Sequence, residues 1–237
     1  MSRSLESCAS SLQRRFGSEV SCDVVPVDGD PAELWRAERE IVAAAVASRR
    51  REFAAGRACA RSLLARIGFE PAALLSADDR SPLWPSGAIG SIAHDRRLCA
   101  VAVAHAERVS AVGLDVEPDE PLEEDLWPEL FLAAELERLA FCSRHARGSM
   151  ARALFSAKEC VYKCTHGLVR ATLGFQDVEI LPAIGSNRFR AQVHHPAGAA
   201  LADVVLEGFH LVCAGSILTG MTLKGGRRDS SPGGAHP

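Results

Sequence analysis

The chain has 237 residues, 47% of them hydrophobic and 24% charged, and its 27 basic and 30 acidic side chains leave a formal charge of −3. A chain of this length folds as one large domain or two small lobes and needs no disulfide or metal to complete its core. The charge balance excludes a strongly cationic nucleic-acid coat protein, and the lack of an apolar run of about eighteen residues excludes a membrane span.

The cysteines and the first residues indicate a compartment. Residues 1–16 contain arginines and serines but no apolar segment, so they do not resemble a secretory signal. Eight cysteines in a chain without such a signal indicate reduced thiols. We therefore expect a cytoplasmic protein whose cysteines are not paired.

Two helices followed by three strands are predicted in the first half of the chain. Asp30 and Pro31 are typical of a helix start, and the alanine-rich residues 32–47 favour a helix. A second helix is predicted over residues 48–67, with Gly68 as its stop. Strands are predicted over residues 88–93, 98–105 and 110–116. The middle strand is a continuous run of small apolar residues, which is typical of a strand buried on both faces.

The second half of the chain repeats this order. Helical signals cover residues 121–141, with a gap, and 149–164, and strands are predicted over residues 174–181, 188–194 and 208–218. The repeated order indicates two similar lobes, although no repeat is visible residue by residue. The tail from residue 224 is rich in glycine, serine and proline and is expected to be disordered.

Two acidic residues end the third predicted strand, in Val112-Gly-Leu-Asp-Val-Glu-Pro118. Asp115 and Glu117 share one face of that strand, and two strand rises place their carboxylates roughly 7 Å apart. At an effective dielectric constant of about 20, their repulsion is on the order of 2 kcal/mol, which a cation would relieve. Carboxylate oxygens suit Mg²⁺. An acidic pair at a strand end is more often a solvated turn, so both interpretations stay open at this point.

The segment Phe155-Ser-Ala-Lys-Glu-Cys-Val-Tyr-Lys163 supplies a third acid. On a helix Phe155, Glu159 and Lys163 form one stripe, and Lys158 lies about 100° from Glu159, within reach of a neighbouring phosphate. The alternative is a surface salt bridge worth about 0.3–0.5 kcal/mol. The acidic pair about forty residues earlier makes that alternative the weaker one.

Together the two segments resemble the signature of the 4′-phosphopantetheinyl transferases, both in their residues and in their separation. The resemblance implies that Asp115, Glu117 and Glu159 hold the Mg²⁺ ion that binds the pyrophosphate of coenzyme A. It also implies that Lys163 stabilises charge on that pyrophosphate and that Lys158 assists.

A loop that leads into the first predicted strand resembles another motif of the family. In Gly90-Ser-Ile-Ala-His94, the backbone of Gly90 and Ser91 can approach an anion closely, and His94 can donate to a phosphate. Without the resemblance, the segment is an ordinary strand entry. The family commonly has a hydroxyl residue where this chain has Ala93, which predicts the loss of one local hydrogen bond rather than of the site.

The predicted second helix begins with an arginine-rich run, Arg49-Arg-Arg-Glu-Phe-Ala-Ala-Gly-Arg-Ala-Cys-Ala-Arg61. The run resembles the enterobactin-type branch of the family. The resemblance implies that Arg49 and Arg57 bind the 3′-phosphate and adenine side of coenzyme A, with Arg80 as a third candidate. Guanidinium groups bind phosphate in a bidentate manner, so arginine suits this role. The alternative is a helix that is arginine-rich only for solubility.

The resemblance covers residues 49–175 and implies an α+β fold of two similar lobes, each with a small antiparallel sheet packed against helices. The lobes are expected at residues 1–111 and 112–223, in a chain that acts as a monomer. The implied reaction transfers 4′-phosphopantetheine from coenzyme A to a serine of an acyl or peptidyl carrier protein and releases adenosine 3′,5′-bisphosphate. Glu159 and Lys163 are the implied catalytic residues.

Two other functions fit the same residues. One is a Mg²⁺-dependent hydrolase of nucleotide pyrophosphates, and the other is a non-catalytic module that binds coenzyme A or an acidic protein. The sequence leaves open which carrier protein and pathway the chain serves and which residues dock the carrier. It also leaves open whether Glu159 or a metal-bound water is the base.

Overall fold

The structure is a computed structural model that describes residues 2–169, 173–183, 186–201 and 204–224. The helices are α1 (Ser2–Phe16), α2 (Arg36–Ile41), α3 (Ala47–Arg66), α4 (Trp127–Leu130), α5 (Ala133–Ala140) and α6 (Arg144–Thr165). The strands are β1 (Val20–Pro26), β2 (Ala88–His94), β3 (Leu98–His105), β4 (Val109–Pro118), β5 (Val178–Pro182), β6 (Arg188–Val193), β7 (Leu206–Cys213) and β8 (Ser216–Lys224). Of the tail predicted from residue 224, Lys224 ends β8, and residues 225–237 lie outside the described residues. Within the described ranges, no helix is both long enough and apolar enough to cross a membrane.

Two antiparallel sheets packed against helices form the molecule, which confirms the predicted α+β class. The first sheet has the strand order β1-β3-β2, and the second has the order β4-β8-β7-β6-β5. Helix α3 packs on the first sheet and α6 on the second. The predicted lobe boundary at residue 111 falls inside β4, the first strand of the second sheet, and stays a prediction.

Strand β3 is buried on both faces, as its apolar run predicts. Cys99, Val101 and Val103 pack in a cluster with the apolar side of α3. The alternate residues of β3 face a second cluster, to which β4 and β8 contribute Leu114 and Leu218. This second cluster joins the two sheets, so the faces of β3 and β4 that carry apolar side chains meet in the middle of the molecule.

Helix α1 and strand β1 were not predicted from the sequence. The helix lies across both sheets, because its buried Leu12 packs with residues of β1 and with Phe209 of β7. Gln13 fixes the following turn, since its amide donates to the Val20 carbonyl and accepts from the Cys22 amide. Helix α1 and strand β1 therefore complete the central core.

Helix α1 also corrects the expectation that every cysteine is a reduced thiol. Cys8 of α1 and Cys213 at the end of β7 form a disulfide, with their Cα atoms 5.9 Å apart. They lie 205 positions apart in sequence, and only the packing of α1 on the second sheet brings them together. Cys59, Cys99 and Cys160 are buried free thiols.

Two predicted elements are divided in the structure. The predicted strand at 208–218 is a hairpin, because Ala214 and Gly215 have positive φ angles of 51° and 77° and reverse the chain between β7 and β8. The predicted helix at 32–47 is a short turn followed by α2. Helix α2 begins after Trp35, whose backbone N–H donates to the Glu38 carboxylate at 3.0 Å.

A repeat that the sequence did not reveal relates the two lobes. Glu38 of α2 is fully buried, accepts from the Trp35 and Leu74 backbones, and pairs with Arg61 of α3 at 2.6 Å.

Glu135 of α5 does the same in the second lobe. It is fully buried, accepts from the Leu132 and Ile180 backbones, and pairs with Lys158 of α6 at 2.7 Å. The acid precedes its base by 23 residues in both lobes.

Candidate functional site

The acidic residues lie where α6 crosses β4 at short range. A Cβ atom on Gly113 of β4 would lie 2.3 Å from the Cys160 carbonyl oxygen and 2.7 Å from the Cys164 Cβ of α6. Glycine at this position is therefore what allows the helix to approach the strand so closely. As a result the Asp115 face of β4 and the Glu159 face of α6 meet.

Asp115 is the central acid of the site, and both of its oxygens are occupied. Its carboxylate is 3% exposed; Oδ1 accepts from the Lys163 ammonium at 2.6 Å and Oδ2 accepts from the Ser156 hydroxyl at 2.8 Å. Burial opposes a charge on Lys163, but the Asp115 and Glu159 carboxylates outweigh it and raise the pKa of Lys163. Lys163 is therefore a cation at neutral pH.

The other two acids carry charges that their surroundings disfavour. Burial, together with the Asp115 charge, raises the pKa of Glu117 to about 7, although Arg152 pairs with it at 2.9 Å. Burial also raises the pKa of Glu159, with the Asp115 charge adding to the effect and Lys163 opposing it. Perturbed carboxylates grouped in this way are typical of functional sites.

The three acids fit a hard divalent cation by their chemistry. Burial is the main cause of the raised pKa of Glu117 and of Glu159, and the Asp115 charge adds to both shifts, so each glutamate interacts electrostatically with Asp115. Carboxylate oxygens are the ligands that Mg²⁺ prefers. Across the described ranges, no group of three or more ligand side chains has the spacing of a metal site. The structure therefore supports the type of ligand and leaves the metal assignment a prediction.

A basic cavity of about 530 Å³ lies against α3, and Glu52 is the acid among its described lining residues. It is lined by Arg49, Arg57, Arg80 and His94, which include every arginine predicted to bind the coenzyme. Arg49 Nη1 lies 2.7 Å from His94 Nε2. Burial lowers the pKa of His94; the Glu52 carboxylate opposes this effect and the Arg49 charge adds to it, so the ring is neutral and the arginine is the cation of the pair.

Arg57 is held more rigidly than Arg49. It is 4% exposed, and its guanidinium donates to the Leu74 carbonyl at 2.7 Å and to the Ser76 hydroxyl at 2.9 Å. Burial lowers the pKa of Arg57 to about 10, which still leaves it charged at neutral pH. It therefore supplies a fixed positive charge to the basic cavity.

An apolar cavity of about 480 Å³ adjoins the basic one, and the two share Arg80, Pro82 and Ile92 as lining residues. It lies between the two lobes, with Trp84 and Tyr162 in its wall. Of the predicted catalytic residues, Lys163 is the one found among its described lining residues. A hydrogen bond of 2.7 Å between His166 of the second lobe and Asp79 of the first connects the two sides of this apolar cavity.

The residues of the Gly90–His94 segment play different parts. Ser91 is buried and bridges the sheets, because its hydroxyl accepts from the Leu114 amide at 3.1 Å and donates to the Leu114 carbonyl at 3.4 Å. It also lines the apolar cavity. Ala93 is buried in the apolar cluster between the sheets, so a hydroxyl there would face the core. Ile92 and His94 line the basic cavity, and His94 is the polar one of the two.

Lys158 does not lie in the cleft, and the prediction that it assists at the phosphate is wrong. Its ammonium group is 1% exposed and donates to the Glu135 carboxylate, the Phe175 carbonyl at 2.7 Å and the Val178 carbonyl at 2.6 Å. These contacts use all three of its N–H donors. The turn of about 100° from Glu159 directs Lys158 into the core of the second lobe, where it is the counterpart of Arg61.

We therefore expect Lys158→Met to destabilise the protein without weakening coenzyme binding. The variant leaves the Glu135 carboxylate buried beside a neutral side chain, which costs about 3–5 kcal/mol of unfolding free energy. Urea denaturation measures this loss, and Glu135→Gln in the same chain should recover part of it. A loss of coenzyme A affinity in folded Lys158→Met, with the stability unchanged, would contradict the assignment.

Two residues of the site were not identified from the sequence. Arg152 pairs with Glu117 and also donates to the Glu120 carbonyl at 3.2 Å. Ser156 binds Asp115, although the family resemblance gave it no role. Helical spacing was the available signal, because residues 152, 156, 159 and 163 share one face of α6.

The comparisons with known proteins agree with this geometry. Residues 37–104 match the sequence model of the 4′-phosphopantetheinyl transferase N-terminal domain, and residues 111–212 match that of the 4′-phosphopantetheinyl transferase superfamily.

Named relatives match over most of the chain. The 4′-phosphopantetheinyl transferase Svp of Streptomyces mobaraensis is 36% identical over 76% of this chain and 74% of its own. The 4′-phosphopantetheinyl transferase Npt of Nocardia iowensis is 33% identical over 83% of this chain and 96% of its own. The 4′-phosphopantetheinyl transferase PptT of Mycobacterium tuberculosis is 36% identical over 60% of this chain and 63% of its own. The chain thus belongs to the 4′-phosphopantetheinyl transferase superfamily, whose members transfer phosphopantetheine to carrier proteins.

Proposed function

We propose that this enzyme transfers 4′-phosphopantetheine from coenzyme A to a serine of an apo carrier protein in a Mg²⁺-dependent reaction and releases adenosine 3′,5′-bisphosphate. The observation that carries the proposal is the junction of three carboxylates and Lys163 beside a basic cavity and an apolar cavity. A site with these parts suits a long substrate that is anionic at one end and uncharged at the other.

The two cavities divide the coenzyme between them. Arg49, Arg57 and Arg80 supply the positive charge that the phosphates on the adenosine side require. The apolar cavity, with Trp84 and Tyr162 in its wall, suits the uncharged pantetheine arm. Lys163 lines the apolar cavity and pairs with Asp115. With the coenzyme bound in this orientation, Lys163 would face the pyrophosphate that joins the adenosine side to the pantetheine arm.

The reaction asks the protein for alignment and charge neutralisation more than for covalent chemistry. Asp115, Glu117 and Glu159 would hold a Mg²⁺ ion, which when bound supplies positive charge to the pyrophosphate. The serine oxygen forms a bond to the phosphorus of the pantetheine side, and the bond from that phosphorus to the bridging oxygen breaks. Lys163 compensates the charge on the departing bisphosphate, and Glu159, or a water molecule that it orients, takes the serine proton.

The raised pKa of Glu159 suits the role of a base. A carboxylate that its surroundings disfavour gains more from accepting a proton than an ordinary surface carboxylate does. Asp115 is less suited, because both of its oxygens accept hydrogen bonds from Lys163 and Ser156.

Mass spectrometry of a carrier protein tests the proposal directly. Incubation with coenzyme A, Mg²⁺ and an apo carrier should add one phosphopantetheinyl group, and a carrier whose acceptor serine is alanine should gain nothing. A panel of carriers from siderophore, polyketide and fatty-acid pathways is needed to find the partner. Free phosphopantetheine released without a carrier would instead identify a pyrophosphate hydrolase, and tight coenzyme binding without any product would identify a binding module.

A further inference from the structure

A row of polar side chains crosses the second sheet behind the acidic site. Asp115 of β4 is the register partner of Thr219 of β8, and Thr219 is the register partner of His210 of β7. Register partners in neighbouring strands point to the same face of a sheet. Ser156 of α6 covers this row, so four polar groups from four elements meet in the interior. Ser156 and Thr219 are both fully buried.

The distances join these groups into one chain of hydrogen bonds. The Ser156 hydroxyl lies 2.8 Å from Asp115 Oδ2 and 2.8 Å from the Thr219 hydroxyl. The Thr219 hydroxyl lies 3.0 Å from Nδ1 of His210. A buried polar group without a partner is costly, so a chain that satisfies each member is a stable arrangement.

The direction of each hydrogen bond in this chain follows from the number of protons that its donor can give. The Asp115 carboxylate only accepts, so the single hydroxyl proton of Ser156 goes to it. Ser156 then accepts from Thr219, because its own proton is used. Thr219 has no second proton, so it accepts from His210, and Nδ1 of His210 must carry hydrogen.

His210 fits this position as a neutral donor. Burial lowers the pKa of His210 to about 4, so the ring is uncharged at neutral pH and holds one proton on one of its two nitrogens. Phe189 packs against the ring, with the centroids 5.0 Å apart. The chain selects Nδ1 as the protonated nitrogen.

We propose that His210, Thr219 and Ser156 form a positioning chain that fixes the orientation of the Asp115 carboxylate for metal and pyrophosphate binding. The proposal rests on the proposed function, since Asp115 has a ligand role only in that reaction. The three residues are not among the described lining residues of either cavity, so they act through Asp115. Partners of this kind behind a metal ligand change metal affinity or activity by about 10- to 100-fold when they are removed.

The tautomer of His210 tests the chain of hydrogen bonds in the absence of substrate and metal. Two-dimensional ¹⁵N–¹H NMR of the uniformly labelled full chain should show His210 with hydrogen on Nδ1, and His210→Phe assigns the signal. In Thr219→Val the hydroxyl is lost with the side-chain shape retained, and the tautomer should shift toward hydrogen on Nε2. Hydrogen on Nε2 in the unmodified protein would overturn the proposed chain, whatever the enzyme's activity.

Metal binding and kinetics test the positioning role. Mn²⁺ binding, followed by electron paramagnetic resonance, should weaken about tenfold in Thr219→Val and in Ser156→Ala, and kcat should fall by a similar factor with a smaller change in KM for coenzyme A. Thr219→Ser keeps the hydroxyl and should retain nearly full affinity. Thr165→Val is the matched control, because Thr165 is an equally buried threonine whose hydroxyl donates to the Val161 carbonyl of its own helix.

The two failures are distinguishable. Unchanged Mn²⁺ affinity and rate in folded Thr219→Val, or an equal loss in Thr165→Val, would overturn the positioning role while leaving the transferase intact. If the unmodified protein modifies no carrier, the proposed function fails. The NMR result still decides whether the hydrogen bonds from His210 to Asp115 are formed.

Discussion

Replacing Glu159 by glutamine is expected to lower the rate of phosphopantetheine transfer by about 10²- to 10⁴-fold, the usual contribution of a general base. Glutamine keeps the shape of the side chain and an oxygen ligand but cannot accept the serine proton. Rapid-quench measurement of carrier mass, at saturating coenzyme A and Mg²⁺, gives the rate. The loss should appear in kcat.

The same change should not destabilise the fold. Burial and the Asp115 charge raise the pKa of Glu159, which means that the folded protein disfavours its ionised form. A neutral isostere removes that cost, so the unfolding free energy of Glu159→Gln at neutral pH should be equal to or above that of the unmodified protein. If replacing a side chain raises or preserves the unfolding free energy but removes the activity, that side chain has a functional role.

Glu137→Gln provides the control for loss of one negative charge. Glu137 is an exposed glutamate of α5, and its replacement should leave both the rate and the stability unchanged. Full activity of Glu159→Gln across a Mg²⁺ titration would remove Glu159 from the role of base. A large loss of stability in that variant would show instead that Glu159 holds the fold together.

The parts of the site that lie within one element were predictable from the sequence. Period-two alternation placed Asp115 and Glu117 on one face of a strand, and a spacing of four placed Glu159 and Lys163 on one face of a helix. Their meeting depends on the approach of α6 to β4, which Gly113 permits. The sequence shows the glycine but not the atoms that a side chain would meet there, so the family resemblance was needed to bring the segments together.

Lys158 shows why adjacency in sequence misleads. It precedes Glu159, but a turn of about 100° points it into the core, and only the position of Glu135 on α5 reveals its partner. The disulfide between Cys8 and Cys213 could not be predicted for the same reason, since the cysteines lie at opposite ends of the chain. Contacts between distant elements require the packing of the lobes, which local patterns do not contain.

Replacing Arg49 by alanine is expected to raise the KM for coenzyme A about 10- to 100-fold. A charge-assisted hydrogen bond contributes about 1.5–3 kcal/mol, and each 1.4 kcal/mol is tenfold in affinity. Arg49 lines the basic cavity, where it contacts His94 at 2.7 Å and pairs with the Glu52 carboxylate at 3.4 Å. Burial keeps the histidine neutral, so Glu52 is the group with which a phosphate competes for the Arg49 charge. Arg51→Ala, which removes an exposed arginine from the same helix, should leave KM unchanged.

Dephospho-coenzyme A shows which phosphate Arg49 binds, because this analogue lacks only the 3′-phosphate. If Arg49 binds that group, the unmodified enzyme should discriminate against the truncated substrate by about the factor that Arg49→Ala loses, and the variant should treat both substrates alike. The two changes are then non-additive, as expected of groups in direct contact. Equal weakening toward both substrates would assign Arg49 to the pyrophosphate instead. Arg57, whose guanidinium donates to Leu74 and Ser76, would then be the remaining buried cation of the cavity available to the 3′-phosphate.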